Sequence, residues 1–266
     1  MTPPDSLPMG LGTSNVPVDR CADVVEWALD IGYRHVDTAQ YYDTEAAVGR
    51  GLARSDVDRG DVVVATKVRP GNLGYEDVLR SVEESLDRLD VDAVDVLYVH
   101  GPAGAYDPEA TIDAFEELHD RGAFTRFGVS NFSPAQVREA SERATMTVFA
   151  NQVEMHPLYQ QDDLHAFARE TGLQLVAYSP LARGAVFEVD VLQEVAAAHD
   201  ASVAQVSLAW LSSKENVVPI PKASSRDHLA DNFRARDLEL SATEIERIDA
   251  IDRVEKVIEP FGDNPT

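Results

Sequence analysis

Short runs rich in valine and other strand formers alternate with amphipathic helical patterns along the whole chain, and this alternation limits the possible folds more than any other feature. Candidate strands fall at 8–12, 34–37, 62–67, 93–100, 126–130, 148–152, 174–178 and 217–221. Helical spacing fills the intervals at 19–29, 75–89, 108–120, 134–143, 162–170, 191–198, 203–212 and 227–233, with another helical stretch opening at Thr44. Ser133-Pro134 supplies a capping hydroxyl followed by a proline at the first helical position. Ser241 and Glu244 stand at capping-box spacing before a last helix at 243–251. About eight strand–helix units in roughly 250 residues predict parallel strands with crossover helices, closed into a (β/α)8 TIM barrel. A doubly wound parallel sheet is the alternative. The fingerprint GxGxxG that often marks it is absent, since Gly10-Leu11-Gly12 runs on into Thr13-Ser14-Asn15. No repeat, low-complexity tract or linker divides the chain, so 1–266 reads as a single domain ending in a loosely held polar tail at 260–266.

A hydrophobic content of 44% is ample for one large core. No run of about 18 apolar residues occurs, and the first residues, MTPPDSLPMG, carry neither a basic segment nor an apolar one, so the expectation is a cytoplasmic protein without a membrane span. A formal net charge of −24 argues against nucleic acid and anionic membrane as partners, because both demand compensating Lys or Arg. Lys67, Lys214, Lys222 and Lys256 are the only lysines. An acidic, lysine-poor surface suits strong salt, where screening suppresses self-repulsion, and predicts a halophilic source. The single Cys21 rules out an internal disulfide framework and reads as apolar filler on the first helix. The histidines form no HxxxH or HExxH pair, so no metal-ligand set is present.

In a barrel of this kind the active site is built from the carboxyl ends of the strands. Taken in order, those ends carry Asp37 and Tyr42, then Lys67, His100, Ser130-Asn131, Asn151-Gln152, Tyr178-Ser179 and Pro221-Lys222. Each alone is ambiguous: a strand-end lysine is often a surface charge, and a strand-end histidine is often a satisfied core residue. An acid, a phenol, an ammonium and an imidazole on three consecutive strands make a coherent proton-transfer set. A free phenol titrates near ~10, and an adjacent ammonium is expected to lower that value and ease proton release. Lys67 would act so on Tyr42, with Asp37 holding the ammonium through a charge-assisted hydrogen bond. His100 is placed to orient a carbonyl oxygen while Tyr42 delivers the proton to it.

The segments GYRHVDTAQYYDTEAAVG, VVVATKV, DVLYVHGP, FGVSNF, FANQVEMHPL, LVAYSPLARG and VVPIPKASS resemble, in order and spacing, the successive signatures of the aldo-keto reductase superfamily. The match runs from about Pro8 to Ile251 and is most similar to the compact prokaryotic branch that includes 2,5-diketo-D-gluconate reductases. The resemblance implies an NAD(P)H-dependent carbonyl reductase with no metal and no flavin, working on a small-molecule carbonyl as a monomer. Carried over by motif, Asp37, Tyr42, Lys67 and His100 are the catalytic set and Tyr42 is the general acid. Of the two adjacent tyrosines, Tyr42 is in register with the motif, which leaves Tyr41 as a wall of the substrate pocket. The resemblance also implies that Ser130, Asn131 and Gln152 bind the nicotinamide carboxamide and that Tyr178 stacks on its ring. Ser179, Leu181 and Arg183 would follow the pyrophosphate, and Lys222, Ser224, Arg226, His228, Asp231 and Asn232 would grip the adenosine end.

Three departures from the family pattern bear on specificity. Members that select NADP usually carry an arginine where this chain has His228; Lys222 and Arg226 keep NADPH the expected cofactor, while the histidine opens the way to NADH. Tryptophans that often follow the catalytic histidine and lysine are replaced by Gly101 and by Val68-Arg69, which predicts a more open pocket in which Arg69 meets a carboxylate or polyol if it points inward. His156, ahead of Pro157, is either a packing residue or a substrate contact. Third, few residues precede the first strand, so the hairpin that commonly closes the barrel floor is curtailed. Two other functions fit the same residues: a Schiff-base enzyme with Lys67 as nucleophile, and a slow-turnover cofactor-binding sensor subunit.

Overall fold

A computed structural model describes residues 6–259, and the tail expected at 260–266 lies outside the described residues. The strands are β1 (Leu11–Gly12), β2 (His35–Asp37), β3 (Val63–Val68), β4 (Val94–Val99), β5 (Phe124–Ser130), β6 (Val148–Glu154), β7 (Gln174–Tyr178) and β8 (Val217–Pro219). They form one sheet in sequence order, with every neighbouring pair parallel. The barrel closes where Gly10 N and Gly12 N donate to Pro219 O and Pro221 O, each at 3.1 Å. Pro219 and Pro221 have no N–H to return, so this seam is bonded from one side only. That is why the first and last strands are shorter than the runs 8–12 and 217–221 suggest.

Ten helices among the described residues wrap the sheet: α1 (Val18–Ile31), α2 (Glu45–Arg54), α3 (Tyr75–Leu89), α4 (Pro108–Asp120), α5 (Pro134–Arg143), α6 (Asp162–Thr171), α7 (Asp190–Ala198), α8 (Val203–Ser213), α9 (Arg226–Arg234) and α10 (Ala242–Asp249). Ser133, Ser202 and Ser241 each close a capping box, satisfying two of the orphan amides at their helix starts. The last helix ends at Asp249 rather than at 251, and residues 251–259 continue as an extended strap with no regular structure.

Two apolar layers follow from the period of two along each strand. Residues facing outward pack beneath the helices, where Cys21 is fully buried. Residues facing inward, Val63, Ala65, Val96, Tyr98, Ala150, Val176, Val218 and Ile220, fill the barrel, and Leu7 joins them as a plug for its floor. The Leu7 amide donates to Gln174 Oε1 at 2.9 Å, which ties this residue to the start of β7. Tyr98 fits across the interior because Gly128 faces it; a Cβ on Gly128 would stand 2.4 Å from the Tyr98 ring. Continuing each inward row by two residues toward the carboxyl end reaches Asp37, Lys67, His100, Ser130, Gln152, Tyr178 and Lys222. The apolar interior thus ends in a polar layer at one mouth of the barrel.

The helical layer has its own close approach. A Cβ on Gly49 of α2 would lie 2.4 Å from the backbone oxygen of Leu89, where α3 ends. Gly49→Ala is therefore expected to lower the free energy of unfolding by about 1–3 kcal/mol through overpacking, despite a gain of about 1 kcal/mol in helix propensity. Gly60→Ala, where a Cβ meets nothing within 4 Å, is the control and is expected to stay within about 0.5 kcal/mol. Urea unfolding followed by circular dichroism measures both. A Gly49→Ala protein as stable as the control would show that α2 and α3 do not pack this closely.

Candidate active site

At the mouth of the barrel Lys67 and Asp37 meet on adjacent strands with side chains only 0% and 2% exposed. Lys67 Nζ donates to Asp37 Oδ1 at 2.5 Å and to Thr38 O at 2.7 Å. The second carboxylate oxygen, Oδ2, accepts from Gln152 Nε2 at 2.8 Å. The carboxylate is held at both ends, which fixes the ammonium it carries. Burial alone would strip the proton from Lys67, but Asp37 and then Tyr42 outweigh it, and the ammonium is held above its ordinary value.

The Tyr42 hydroxyl lies in the field of Lys67, which favours its ionised form, as Ser14 does. Its ring lies with its centroid 5.0 Å from Lys67 Nζ and 5.8 Å from the His100 ring, edge-on at 84°. Burial is the largest influence on Tyr42 and pushes its value up; Lys67 acts in the expected direction and lowers it, but offsets only part of the rise. Tyr42 is a neutral phenol. His100, in turn, is driven well below the ordinary histidine range by burial and by the Lys67 charge, so it is a neutral imidazole.

The next three strand ends interlock. Ser130 Oγ donates to Gln152 O at 2.8 Å, Asn131 Nδ2 donates to His100 O at 3.1 Å, and Tyr178 Oη donates to Asn131 Oδ1 at 2.9 Å. Asn131 holds a left-handed backbone at φ 62°, as do Ser179 at 49°, Ala182 at 46° and Arg183 at 51° in the turn after β7. Such conformations cost L-residues about 1–2 kcal/mol each and collect at sites where loop geometry matters.

These groups open onto a cavity of about 1080 Å³. Asp37, Tyr42 and His100 lie at its base, Tyr41 and Phe187 on its walls, and Ser130, Asn131, Gln152, Tyr178, Ser179, Leu181, Arg183 and Lys222 along its length. Lys67 lies beneath it, reached through Asp37 and Tyr42. Ser224, Arg226, His228, Asp231 and Asn232 fall outside the cavity, on the turn after β8 and on α9. There Ser225 caps the helix at the His228 amide, Arg226 faces Asp30 at 3.6 Å, and Asp231 accepts from Ser202 Oγ and Gln205 Nε2, both at 2.7 Å. Asn232 is buried, whereas His228 and Ser224 are exposed.

Two expected pocket residues are elsewhere. Arg69 does not line the cavity; its guanidinium lies beside Gly71, 3.8 Å from where a Cβ there would stand. His156 is wholly buried, with Nε2 3.0 Å from Glu154 Oε1, which makes it a packing residue rather than a substrate contact. Other wall residues were not read from the sequence: Ser14, Asn15 and Val16 after β1, Phe187, and Ile258 with Glu259 from the strap. Ser14 and Asn15 were open to discovery, since they directly follow the first strand. The strap residues carry no local signal, because only the tertiary fold brings them back to the barrel mouth.

Comparison with known proteins agrees with this geometry. The model of the Aldo/keto reductase family matches residues 8–253. The glyoxal reductase of Bacillus subtilis is 36% identical over 257 residues, covering 96% of this chain and 91% of its own. A solved structure of a candidate 2,5-diketo-D-gluconic acid reductase B superposes with a TM-score of 0.91 at 32% identity, covering 96% of this chain and 92% of that one. An aldo-keto reductase from Bombyx mori, solved in complex with NADP, superposes with a TM-score of 0.89 at 27% identity, over 97% of this chain and 93% of its own. A likeness that spans the entire barrel, with reductases on both the sequence and the structural side, makes this chain a member of the aldo/keto reductase family, an oxidoreductase of carbonyl groups.

Proposed function

We propose that Tyr42 is the proton donor of an NAD(P)H-dependent reduction that turns an aldehyde, ketone or keto-sugar carbonyl into the alcohol. The observation that carries the reading is the buried Lys67–Asp37 pair directly behind a neutral phenol at the base of an open cavity. The cavity suits a dinucleotide: at about 1080 Å³ it is roomy, and it keeps Arg183 and Lys222 on its wall in a chain of net charge −24. Bound there, the reduced nicotinamide supplies hydride to the carbonyl carbon. The chain's own groups do the rest. His100 and the Tyr42 hydroxyl converge on the carbonyl oxygen; Tyr42 releases its proton to that oxygen as negative charge develops, and Lys67 stabilises the phenolate left behind. Asp37 keeps Lys67 charged and stationary, and Gln152 keeps Asp37 from turning away. The same fixed ammonium argues against a Schiff-base role for Lys67, since a nucleophilic amine must first lose its proton.

Ser130, Asn131, Gln152 and Tyr178 are the residues we assign to the nicotinamide end, Ser179, Leu181 and Arg183 to the pyrophosphate, and the α9 region with Lys222 to the adenosine. NADPH is the preferred cofactor in this reading, on the strength of Lys222 and Arg226, with NADH accepted because His228 adds no fixed charge. Small dicarbonyls of the kind named for the related glyoxal and methylglyoxal reductases are the first substrates to test. We further propose a monomer in the cytoplasm of a salt-rich cell, supported by family resemblance and by the acidic, lysine-poor composition.

Oxidation of NADPH and NADH, followed separately by absorbance in high salt against methylglyoxal, diketo acids, aldoses and aromatic aldehydes, tests the reading. Turnover is expected with NADPH ahead of NADH and is expected to fall after dialysis into low-salt buffer. No oxidation of either cofactor with any carbonyl would sink the reductase proposal, and activity unchanged at low salt would sink the halophilic one. Tyr42→Phe is expected to lower kcat by about 10²–10⁴, the usual share of a general acid, while cofactor affinity stays within about threefold. Retained turnover would show that the acid is another group. The pH dependence has a definite sign: His100 is displaced downward and Tyr42 and Lys67 upward, so none of the three titrates near neutrality. kcat/KM for reduction is expected to be flat between about pH 6 and 9, away from the ordinary histidine and phenol values. A bell centred on neutrality would contradict these assignments.

A further inference from the structure

Glu154 is the last residue of β6 and belongs to the inward row that runs Ala150, Gln152, Glu154. It therefore sits one level above Gln152 at the rim of the barrel, where its side chain is only 2% exposed. A carboxylate so placed calls for a cation, yet no Lys or Arg ion pair reaches it among the described residues. Its partners are instead two backbone amides and a histidine ring nitrogen. Oε1 accepts from Val257 N at 2.6 Å and lies 3.0 Å from His156 Nε2; Oε2 accepts from Ile258 N at 2.9 Å. These bonds hold the carboxylate ionised, below the ordinary range for glutamate, against the opposing effect of burial. His156, itself fully buried and bridged to Tyr159 through its backbone, fixes the direction in which the carboxylate faces.

Both amide donors come from the strap 251–259, a segment without helix or strand. Its backbone also donates from Glu255 N to Leu158 O at 2.8 Å, and its Arg253–Glu255 and Lys256–Glu259 pairs are internal to it. Ile258, the second clamped residue, and Glu259 after it enter the wall of the cavity. On its other side the strap borders an adjoining cleft of about 610 Å³, and Asn131 and Tyr178 line both spaces. Glu154 also faces Tyr178 across the β6–β7 register. Lifting the strap would leave a buried carboxylate with two of its donors gone.

We propose that Glu154, oriented by His156, is a positioning residue for carbonyl reduction: it clamps the strap at Val257 and Ile258, and so fixes Ile258 and Glu259 as the outer wall that holds the substrate. The assignment rests on the reductase reading for its substrate readout, though not for its structural one. Glu154 touches none of Asp37, Tyr42, Lys67 or His100, so the wall is set independently of the proton-transfer groups.

The test is Glu154→Gln in the full chain, which keeps the shape but sets an NH2 group against a strap amide. Backbone hydrogen exchange at Val257 and Ile258 is expected to accelerate by about tenfold or more, as one lost bond to a charged acceptor predicts, while the amides of β4 and β5 keep their protection. In steady state the KM for a carbonyl substrate is expected to rise about fivefold or more with kcat within about twofold, the split that marks lost ground-state binding. Glu154→Asp, whose shorter carboxylate still accepts from one amide, is expected to fall between Gln and the parent. Exchange and KM both unchanged would overturn the proposal. So would a fall in kcat that tracks a general loss of protection through the barrel, because that marks a merely structural residue. If the parent reduces no carbonyl at all, the reductase reading fails by itself, and exchange at 257 and 258 still decides whether Glu154 holds the strap.

Discussion

Removing a lysine and an aspartate from water together is costly unless their geometry and remaining hydrogen bonds are nearly complete, and the Lys67–Asp37 pair meets that demand. Thr38 O takes a second ammonium proton, Gln152 holds the far carboxylate oxygen, and the Tyr42 ring lies with its centroid 5.0 Å from the ammonium. A well-packed apolar pair of similar size could serve stability as well or better. On the proposed function, the reason to keep two buried charges here is chemical. They hold a positive charge beside a phenol that burial pushes upward, and burial together with that charge keeps His100 neutral.

The barrel supplies the precision that pair needs. Asp37, Lys67 and His100 extend inward rows of strands β2, β3 and β4, so their backbones are fixed by the parallel ladder, and the apolar plug beneath, with Tyr98 seated against Gly128, leaves them only one open direction. Loops then build what the strands cannot. Tyr42 comes from the turn after β2, and the run after β7 holds Ser179, Ala182 and Arg183 in the left-handed region. Strand ends position the charges, whereas the loops shape the walls that a cofactor and substrate meet.

Much of the fold was legible because it depends on local periodicity. The helices at 75–89, 108–120 and 134–143 occur at the predicted bounds, since proline, capping serine and amphipathic spacing all act within a few residues. The strand-end reading located the acid, phenol, ammonium and imidazole, because a period of two fixes which residues face inward once the barrel is assumed. It did not foresee that Tyr42 would be displaced upward. A charge next to a phenol can be guessed from sequence, but the amount of water excluded from both cannot. Arg69 and His156 illustrate the same limit: residue type suggested contact with substrate, and packing turned one toward Gly71 and the other toward Glu154.

By itself the sequence determined the alternating strand–helix order, the parallel barrel, the acidic surface and the identity of the four groups at the centre of the site. All of these rest on spacing and residue chemistry that need no distant partner. Only the tertiary structure decided the protonation of those groups, the clamp of Gln152 on Asp37, and the return of 251–259 across the barrel mouth to Glu154. Those features depend on burial and on contacts between segments about a hundred residues apart, such as Glu154 with Val257 and Ile258, and short-range patterns carry no record of them.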